Sequence, residues 1–335
     1  MLGLELSFIW AGIIAFAVLV YVILDGFDLG VGILFPFAKD ERERDVMMNS
    51  VAPIWDGNET WLVLGGGGLF AVFPLAYAVV MPALYAPIVA MLLALVFRGV
   101  AFEYRWRTVR WKRLWDWSFA MGSLVAALMQ GIALGAIVQG IEVENRAYAG
   151  GWFDWLTPFS LLTGFAVATG YGLLGATWCN MKLEGRVQTH MRQLARPLSF
   201  ATLAFLGLVS LFTPLQDAVY AERWFRWPTM VWTLAVPVLV ALLALRLWRG
   251  LERGDDVAPF LCALGFFVLG FVGIGISFYP MMVPPELTIV EAAAPDESLL
   301  FTLVGTLVLV PIILTYTAYT YWVFRGKIDA DEGYH

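Results

Sequence analysis

The sequence predicts an all-α integral membrane protein with about nine transmembrane helices. Of its 335 residues, 60% are hydrophobic and only 14% are charged, whereas soluble domains contain about 45–50% apolar and about 25% charged residues. Residues 60–97 carry no charged side chain, and that length suffices for two crossings at about 20 residues each. No connection between apolar segments is long enough to fold alone. The whole chain, 1–335, is therefore predicted to be a single transmembrane domain.

Nine apolar segments are the predicted membrane-spanning helices. They are residues 8–30, 58–76, 82–103, 117–139, 158–180, 198–216, 229–247, 258–279 and 299–323. No basic stretch of the kind found in a signal peptide precedes the first segment, so we expect it to be retained as a helix. Cys179 and Cys262 both lie in apolar segments, and we expect packed thiols rather than a disulfide or a metal site.

The basic residues predict the orientation in the membrane. When the loops are assigned alternately to the two sides, 17 of the 21 Lys and Arg residues fall on one side. These are Lys39, Arg42, Arg44, Arg105, Arg107, Arg110, Lys112, Arg113, Lys182, Arg186, Arg192, Arg196, Arg246, Arg249, Arg253, Arg325 and Lys327. By the positive-inside rule that side is the cytoplasm. We therefore predict an N-terminus outside and a C-terminus in the cytoplasm.

A polar stretch at residues 55–61, WDGNETW, opens the second apolar segment. Asp56 and Glu59 are three residues apart, so they would share one face of a helix. Ionisable residues at the edge of a membrane span are costly and mark candidate functional sites. The alternative is an ordinary interfacial helix start, in which both carboxylates interact with the positive end of the helix dipole.

The predicted topology brings several charged residues to a similar depth. Four consecutive helices would present Asp25, Asp28, Asp56, Glu59, Arg98 and Asp116 on the cytoplasmic side. Because the carboxylates outnumber Arg98, the single arginine inside a span, they cannot all be ionised in a medium of low dielectric constant. We predict that the surplus carboxylates exchange protons with the cytoplasm. The alternative is a static pair between Arg98 and one carboxylate that holds the bundle together.

The predicted site residues divide into two groups. The candidates for a proton pathway are Asp25, Asp28, Asp56 and Glu59. The structural and polar group comprises Arg98, Asp116, Trp55 and Asn58. No residue of this chain is predicted to be directly catalytic.

Several functions are disfavoured by what the sequence lacks. The two histidines are His190, predicted to lie in a cytoplasmic loop, and His335, the last residue. A haem usually takes a histidine or cysteine ligand, or a histidine–methionine pair, so the chain is not expected to bind a haem through histidine, and no metal site is predicted. Phosphate-binding loops, dinucleotide turns and nucleic-acid modules are missing as well. We predict a proton-handling partner of a redox centre that lies in another chain.

Four motifs in chain order resemble subunit II of the cytochrome bd-type quinol oxidases, including the cyanide-insensitive branch. They are residues 25–32 (DGFDLGVG), 52–62 (APIWDGNETWL), 97–105 (FRGVAFEYR) and 115–117 (WDW). Residues 278–284 (FYPMMVP) and 310–318 (VPIILTYTA) are also similar to that family. The resemblance spans the chain, and its distinctive motifs lie in the first third.

The resemblance implies a fold and a partner. Members have two four-helix bundles plus one peripheral helix, which would divide this chain into a first bundle with the polar motifs (1–139) and a second bundle with the peripheral helix (140–335). They form a heterodimer with a larger subunit I, which carries two haems b and one haem d. That complex oxidises quinol, reduces oxygen to water and draws protons from the cytoplasm. The expected location is the bacterial cytoplasmic (inner) membrane.

The resemblance also implies roles for single residues. The position of Asp56 belongs to a proton pathway, and the position of Trp61 lies near the place where oxygen is proposed to enter. The positions of Asp28, Arg98 and Asp116 are associated with haem integrity or the buried polar site. A structural quinone in this subunit and a small accessory subunit are further expectations. The sequence departs from other members at Glu59 and at Glu103, and in its short outer loop 217–228.

Two alternatives compete with an oxidase subunit that relays protons. The first is a stand-alone proton-coupled transporter, for which inverted repeats and paired broken helices would be diagnostic. The second is a purely structural assembly subunit whose carboxylates only pair with Arg98. In none of these cases is nucleic acid an expected partner. The lipid bilayer is a partner in all of them.

Overall fold

The computed structural model describes residues 5–328, and α-helices dominate this part of the chain. In chain order the helices are α1 (Leu6–Leu34), α2 (Glu41–Asn49), α3 (Trp55–Val72), α4 (Pro74–Ala83), α5 (Tyr85–Arg107), α6 (Lys112–Gln139), α7 (Pro158–Lys182), α8 (Gly185–Phe212), α9 (Ala218–Phe225), α10 (Met230–Thr233), α11 (Ala235–Arg253), α12 (Ala258–Phe278), α13 (Ile289–Ala292) and α14 (Asp296–Val323). Single 3-10 turns follow α1 at Phe35–Phe37 and α8 at Thr213–Leu215.

The β-structure consists of two short antiparallel hairpins in loops. Strands β1 (Val143–Glu144) and β2 (Ala147–Tyr148) pair across a turn in which Asn145 has a positive φ, a conformation that asparagine tolerates well. Strands β3 (Met281–Val283) and β4 (Leu287–Thr288) form the second hairpin. Both hairpins connect long helices and take no part in the buried charged site.

Within residues 5–328, eight helices are long and apolar enough to cross a membrane. The predicted span 58–76 corresponds to α3, which ends at Val72. Pro74 then begins α4, as is usual for a residue that lacks the backbone N–H donor. Two carboxylates and a glycine run lower the hydropathy of α3. The count of nine transmembrane helices therefore stays a prediction.

Helix α1 lies in the middle of the packing. It contacts α3 and α6 along its sides and packs most extensively on α7. Helices α5 and α6 pack against each other, as do α7 and α8, and α11 and α12. Helix α14 lies at the periphery against α1 and α3, and only 6% of its most apolar stretch is buried. Most of its surface is consequently available to lipid or to a partner.

Close contact between α1 and α7 depends on small residues. A Cβ atom placed on Gly30 would lie 1.9 Å from the carbonyl oxygen of Tyr171, and one on Gly175 would lie 2.2 Å from the carbonyl carbon of Gly30. The two backbones therefore touch, which is the geometry that glycines allow between membrane helices. This contact fixes α1 relative to α7.

One end of the helical bundle, which we call the charged end, collects the loops that the sequence analysis assigned to the cytoplasm. Ion pairs join these loops: Asp40 pairs with Arg186, and Asp256 pairs with Arg192 (3.1 Å) and Lys327 (2.7 Å). Asp40 caps α2 by accepting from the Glu43 N–H (2.9 Å). That bond, together with Arg186, holds the pKa of Asp40 below its usual range. The orientation of the charged end in the membrane stays a prediction.

Candidate functional site

The centre of the buried polar site is Arg98. It lies on α5, and its side chain is completely covered. Its Nη1 atom is 2.7 Å from Glu59 Oε1 and 3.5 Å from Asp25 Oδ1, and its Nη2 atom is 3.8 Å from Asp28 Oδ2. Three of the four predicted proton-pathway carboxylates thus surround one guanidinium group.

The motif at residues 25–30 serves two faces of α1. Asp25 and Asp28 are three residues apart, so both carboxylates point to Arg98 from one face. Gly26 and Gly30 are four residues apart and face Tyr171 on α7. The same six residues therefore build the charged site and the close helix contact, which explains why acidic residues and glycines alternate there.

Asn58 connects the site to the peripheral helix. Its Nδ2 donates to Asp28 Oδ2 (2.6 Å) and to the carbonyl of Leu24 (3.3 Å). Its Oδ1 accepts from the hydroxyl of Tyr321 on α14 (3.0 Å). Both Asn58 and Asp28 are buried, so this amide fixes the orientation of the Asp28 carboxylate.

Aromatic and small residues shape the space around Arg98. Trp55 stacks on Phe102 with ring centroids 4.8 Å apart, and the guanidinium carbon lies 5.9 Å from the Trp55 ring and 5.5 Å from the Phe102 ring. A Cβ atom on Gly122 of α6 would lie 3.1 Å from the Cβ of Arg98. The charge is consequently held by π faces on one side and by a close helix backbone on another.

Several buried polar atoms of the site have no hydrogen-bond partner among residues 5–328. In the described part of the chain, neither oxygen of Asp25 accepts a hydrogen bond, and the same holds for Asp28 Oδ1 and for Nε and Nη2 of Arg98. A buried polar atom without a hydrogen-bond partner lowers the stability of the fold unless it binds a proton or a water molecule. One cation also cannot neutralise three carboxylates. The arrangement can therefore hold at least one exchangeable proton.

Asp56 lies outside this cluster. It occupies the first turn of α3 and is exposed, and its carboxylate forms no ion pair or hydrogen bond with residues 5–328. Glu59, one turn further, is half-buried, with 24% of its side chain exposed. Asp25 and Asp28 are covered. These carboxylates are predicted to lie at similar depth, whereas their burial increases from Asp56 through Glu59 to the α1 pair.

Asp116 also lies apart from Arg98, in a second buried cluster. Arg105 Nε is 2.6 Å from Asp116 Oδ1, and Arg105 Nη1 is 2.6 Å from Asp45 Oδ1 on α2. The guanidinium carbon of Arg105 lies over the rings of Phe35 (5.4 Å) and Trp106 (5.1 Å). The expectation that Asp116 would share a site with Arg98 is thus wrong, because Asp116 lies near the start of α6 and pairs with Arg105, two helical turns from Arg98 along α5.

Trp61 is completely buried between α3 and α1, where it makes an edge-on contact with Phe16 (5.9 Å between centroids). Its indole Nε1 has no hydrogen-bond partner among residues 5–328. The side chain lies near Tyr21 and Ala17 rather than in the Arg98 cluster. Its predicted role beside an oxygen path stays a prediction.

Sequence reasoning missed two parts of the polar interior. The sequence predicts Arg98 as the one arginine inside a span, but Arg105 is buried as well. Their spacing of seven residues, two helical turns, is the signal that indicates it. A second polar group comprises Tyr21, Gln130 and Tyr171, which hydrogen-bond to one another across three helices. Only Tyr21, four residues before Asp25, carried a sequence signal.

The donor set of the described residues does not fit a haem. His190 lies in α8, not in a loop as expected, and its Nδ1 faces Glu43 Oε2 at 3.3 Å at the charged end. Cys179 and Cys262 are free thiols packed in the core. Between residues 5 and 328 no three His, Cys, Asp or Glu side chains are grouped to hold a metal ion.

The fold and the site together define a multi-pass membrane protein whose spanning helices enclose a buried arginine–carboxylate cluster. A sequence profile described as "Cytochrome bd terminal oxidase subunit II" matches residues 6–324. The chain belongs to this family. It is therefore a subunit of a terminal oxidase complex, an oxidoreductase, and the family implies a partner subunit I and a haem-bearing assembly.

Relatives of known name match over nearly the whole chain. Cytochrome bd-I ubiquinol oxidase subunit 2 of Escherichia coli (strain K12) is 31% identical over 98% of this chain and 96% of its own length. Cytochrome bd ubiquinol oxidase subunit 2 of Bacillus subtilis (strain 168) is 28% identical over 97% of both chains. A chain of the bd oxidase structure from Geobacillus thermodenitrificans superposes with a TM-score of 0.78 at 16% identity, covering 96% of this chain and 99% of that chain. These matches do not favour the transporter alternative.

Proposed function

We propose that this chain supports the haem-bearing subunit I and passes protons from the charged end into the membrane interior. The observation that carries the proposal is the gradient of burial along one polar path. Asp56 is exposed, Glu59 is half-buried and hydrogen-bonded to Arg98, and Asp25 lies beyond Arg98 with no exposed carboxylate oxygen. A proton taken up at the surface would thus meet carboxylates at each step inward.

In this proposal, the redox chemistry takes place in the partner subunit. The haems b and d, bound in subunit I, would supply the electron transfer from quinol to oxygen. In this division of roles, the residues of this chain would bind that subunit and hold and move protons. Quinol, as in the names of the relatives, oxygen and the bilayer are the proposed partners, and the bacterial cytoplasmic membrane is the proposed location, with the charged end in the cytoplasm.

Some finer parts of the proposal rest on the resemblance alone. They are the two four-helix bundles within 1–139 and 140–335, the oxygen path near Trp61, a structural quinone and a small accessory subunit. What supports the oxygen path is that Trp61 packs against α1 among apolar side chains.

Asp56→Asn tests the proton path in the intact complex. The variant keeps the shape of the side chain but cannot exchange a proton, so oxygen reduction per haem should fall at least about tenfold while the reduced-minus-oxidised spectrum stays normal. Asp296→Asn is the matched control, because Asp296 is likewise an exposed carboxylate in the first turn of a long apolar helix.

The two measurements separate the competing functions. A normal rate in Asp56→Asn would refute the relay through that residue. Loss of the haem spectrum in the same variant would indicate the purely structural role instead. A purified chain that brings no haem-bearing partner with it would contradict the proposal as a whole.

A further inference from the structure

A chain of hydrogen bonds crosses three helices beside the Arg98 cluster. The Tyr171 hydroxyl on α7 donates to Gln130 Oε1 on α6 (2.8 Å), and Gln130 Nε2 donates to the Tyr21 hydroxyl oxygen on α1 (2.7 Å). Tyr21 and Tyr171 are buried. Nothing in the proposed function uses these three side chains, although they form a polar chain deep among apolar helices, where each unpaired group would be costly.

The direction of these hydrogen bonds determines whether the Tyr21 proton is available to another acceptor. A primary amide has one accepting oxygen and one donating nitrogen. Gln130 therefore accepts a hydrogen bond from Tyr171 and donates one to Tyr21. Because the Tyr21 oxygen already accepts from Gln130, its own proton remains available for a further acceptor. The reversed amide would make Tyr21 donate to Gln130 and would use up that proton.

Asp25 is the carboxylate one helical turn further along α1. Tyr21 precedes it by four residues, so both side chains project from the same face of the helix. No donor in residues 5–328 is hydrogen-bonded to either oxygen of this carboxylate, although Arg98 Nη1 is within 3.5 Å. The Tyr21 hydroxyl can therefore complete the coordination of Asp25, directly or through one water.

We propose that Tyr21 is a positioning residue for Asp25 and that Gln130 and Tyr171 fix the donor direction of its hydroxyl. This inference rests on the proposed role of Asp25 in proton transfer. Asp25 is then held by two groups, the Arg98 cation and the Tyr21 phenol. Tyr21 does not itself carry a proton onward.

The packing keeps this chain in one geometry. The ring of Tyr171 stacks on Phe267 with centroids 5.3 Å apart, and its edge lies against Gly26, where a Cβ atom would be 2.7 Å from the ring. Gly26 directly follows Asp25. The Tyr171 ring is thus held between α12 and the backbone next to Asp25. This packing keeps the hydrogen-bond chain in one arrangement.

The test compares four variants and one control variant in the purified complex with its partner subunit. Tyr21→Phe removes the donor to Asp25. Gln130→Glu places a second acceptor beside Tyr21, which should draw its proton away from Asp25. We expect both to lower oxygen reduction per haem roughly tenfold and to shift the infrared band that Asp25→Asn abolishes, since a hydrogen bond to a charged group is lost. Tyr171→Phe should act in the same direction but less strongly.

Tyr220→Phe is the control, since this buried tyrosine donates to the carbonyl of Val138 (3.1 Å) far from the site. If Tyr21→Phe and Tyr220→Phe have the same rate and the same Asp25 band, the inference is wrong. If Asp25→Asn keeps the parental rate, the proposed proton role of Asp25 is wrong instead. The infrared band of Asp25 then still decides whether Tyr21 positions it.

Discussion

Arg98 Nη1 lies 2.7 Å from Glu59 Oε1 and 3.5 Å from Asp25 Oδ1. One nitrogen atom therefore contacts both a half-buried carboxylate on α3 and a fully covered one on α1. A fixed cation at this position lowers the electrostatic cost of bringing negative charge into the interior.

Arg98→Ala should destabilise the folded chain and reduce the yield of the complex. The change leaves Asp25, Asp28 and Glu59 without their cation, and breaking a buried pair in this way costs about 3–5 kcal/mol. The yield of haem-containing complex from equal amounts of membrane measures the effect.

Arg107→Ala is the control on the same helix, because the Arg107 side chain is 77% exposed and pairs with Glu103 on the surface. Such a pair contributes about 0.3–0.5 kcal/mol. Equal yields for Arg98→Ala and Arg107→Ala would show that the buried cation is dispensable.

Gly30→Ala should abolish assembly. The new methyl group would lie 1.9 Å from the Tyr171 carbonyl oxygen, which is backbone and cannot move away without separating α1 from α7. Gly12→Ala on the same helix meets no atom within 4 Å and should be tolerated. Size-exclusion chromatography of the detergent-solubilised complex distinguishes the two, and a monodisperse Gly30→Ala complex would contradict the close contact.

Asp116→Asn should weaken the charged end without slowing the enzyme. Arg105 would retain Asp45, but the neutral amide would remove the negative charge from the 2.6 Å contact of its Nε, at a cost of about 1–3 kcal/mol. We expect a lower thermal midpoint of the complex and an unchanged rate per intact haem, since Asp116 does not touch Arg98. Glu103→Gln, an exposed change on α5, is the control; a slowed rate at full haem content would place Asp116 in the proton path.

Acid should destabilise the charged end. The N–H group of Ala258 and then the guanidinium of Arg246 hold the pKa of Asp255 below its usual range. A carboxylate whose pKa is lower in the folded chain stabilises fully above its unfolded pKa, about 4, and loses this contribution as the pH falls through the folded value. The thermal midpoint of the complex should therefore decrease as the pH is lowered below about 4.

Asp255→Asn should flatten that acid dependence, because the amide keeps an acceptor oxygen for the backbone but carries no charge for Arg246. Glu252→Gln, an exposed carboxylate on the preceding helix, controls for the change in net charge. Parallel curves for the parent and Asp255→Asn between pH 6 and pH 3 would argue against this contribution.

The sequence by itself determined the class of the protein and most of the charged site. Long apolar segments must be helical in a bilayer, because every backbone polar group has to be satisfied within the segment. The spacing of Asp25 and Asp28 gave them a shared face, and the cost of a buried arginine required carboxylates near Arg98. Composition and local periodicity carry this information.

Only the tertiary structure decided which helices meet and at what depth. The burial of Arg105 with Asp45 and Asp116 depends on how α2 folds back on α5 and α6. The exposure of Asp56 beside the half-buried Glu59 depends on the rotation of α3 about its axis. The chain from Tyr171 through Gln130 to Tyr21 joins residues more than a hundred positions apart. These contacts arise from side-chain packing between helices, which local sequence patterns do not specify.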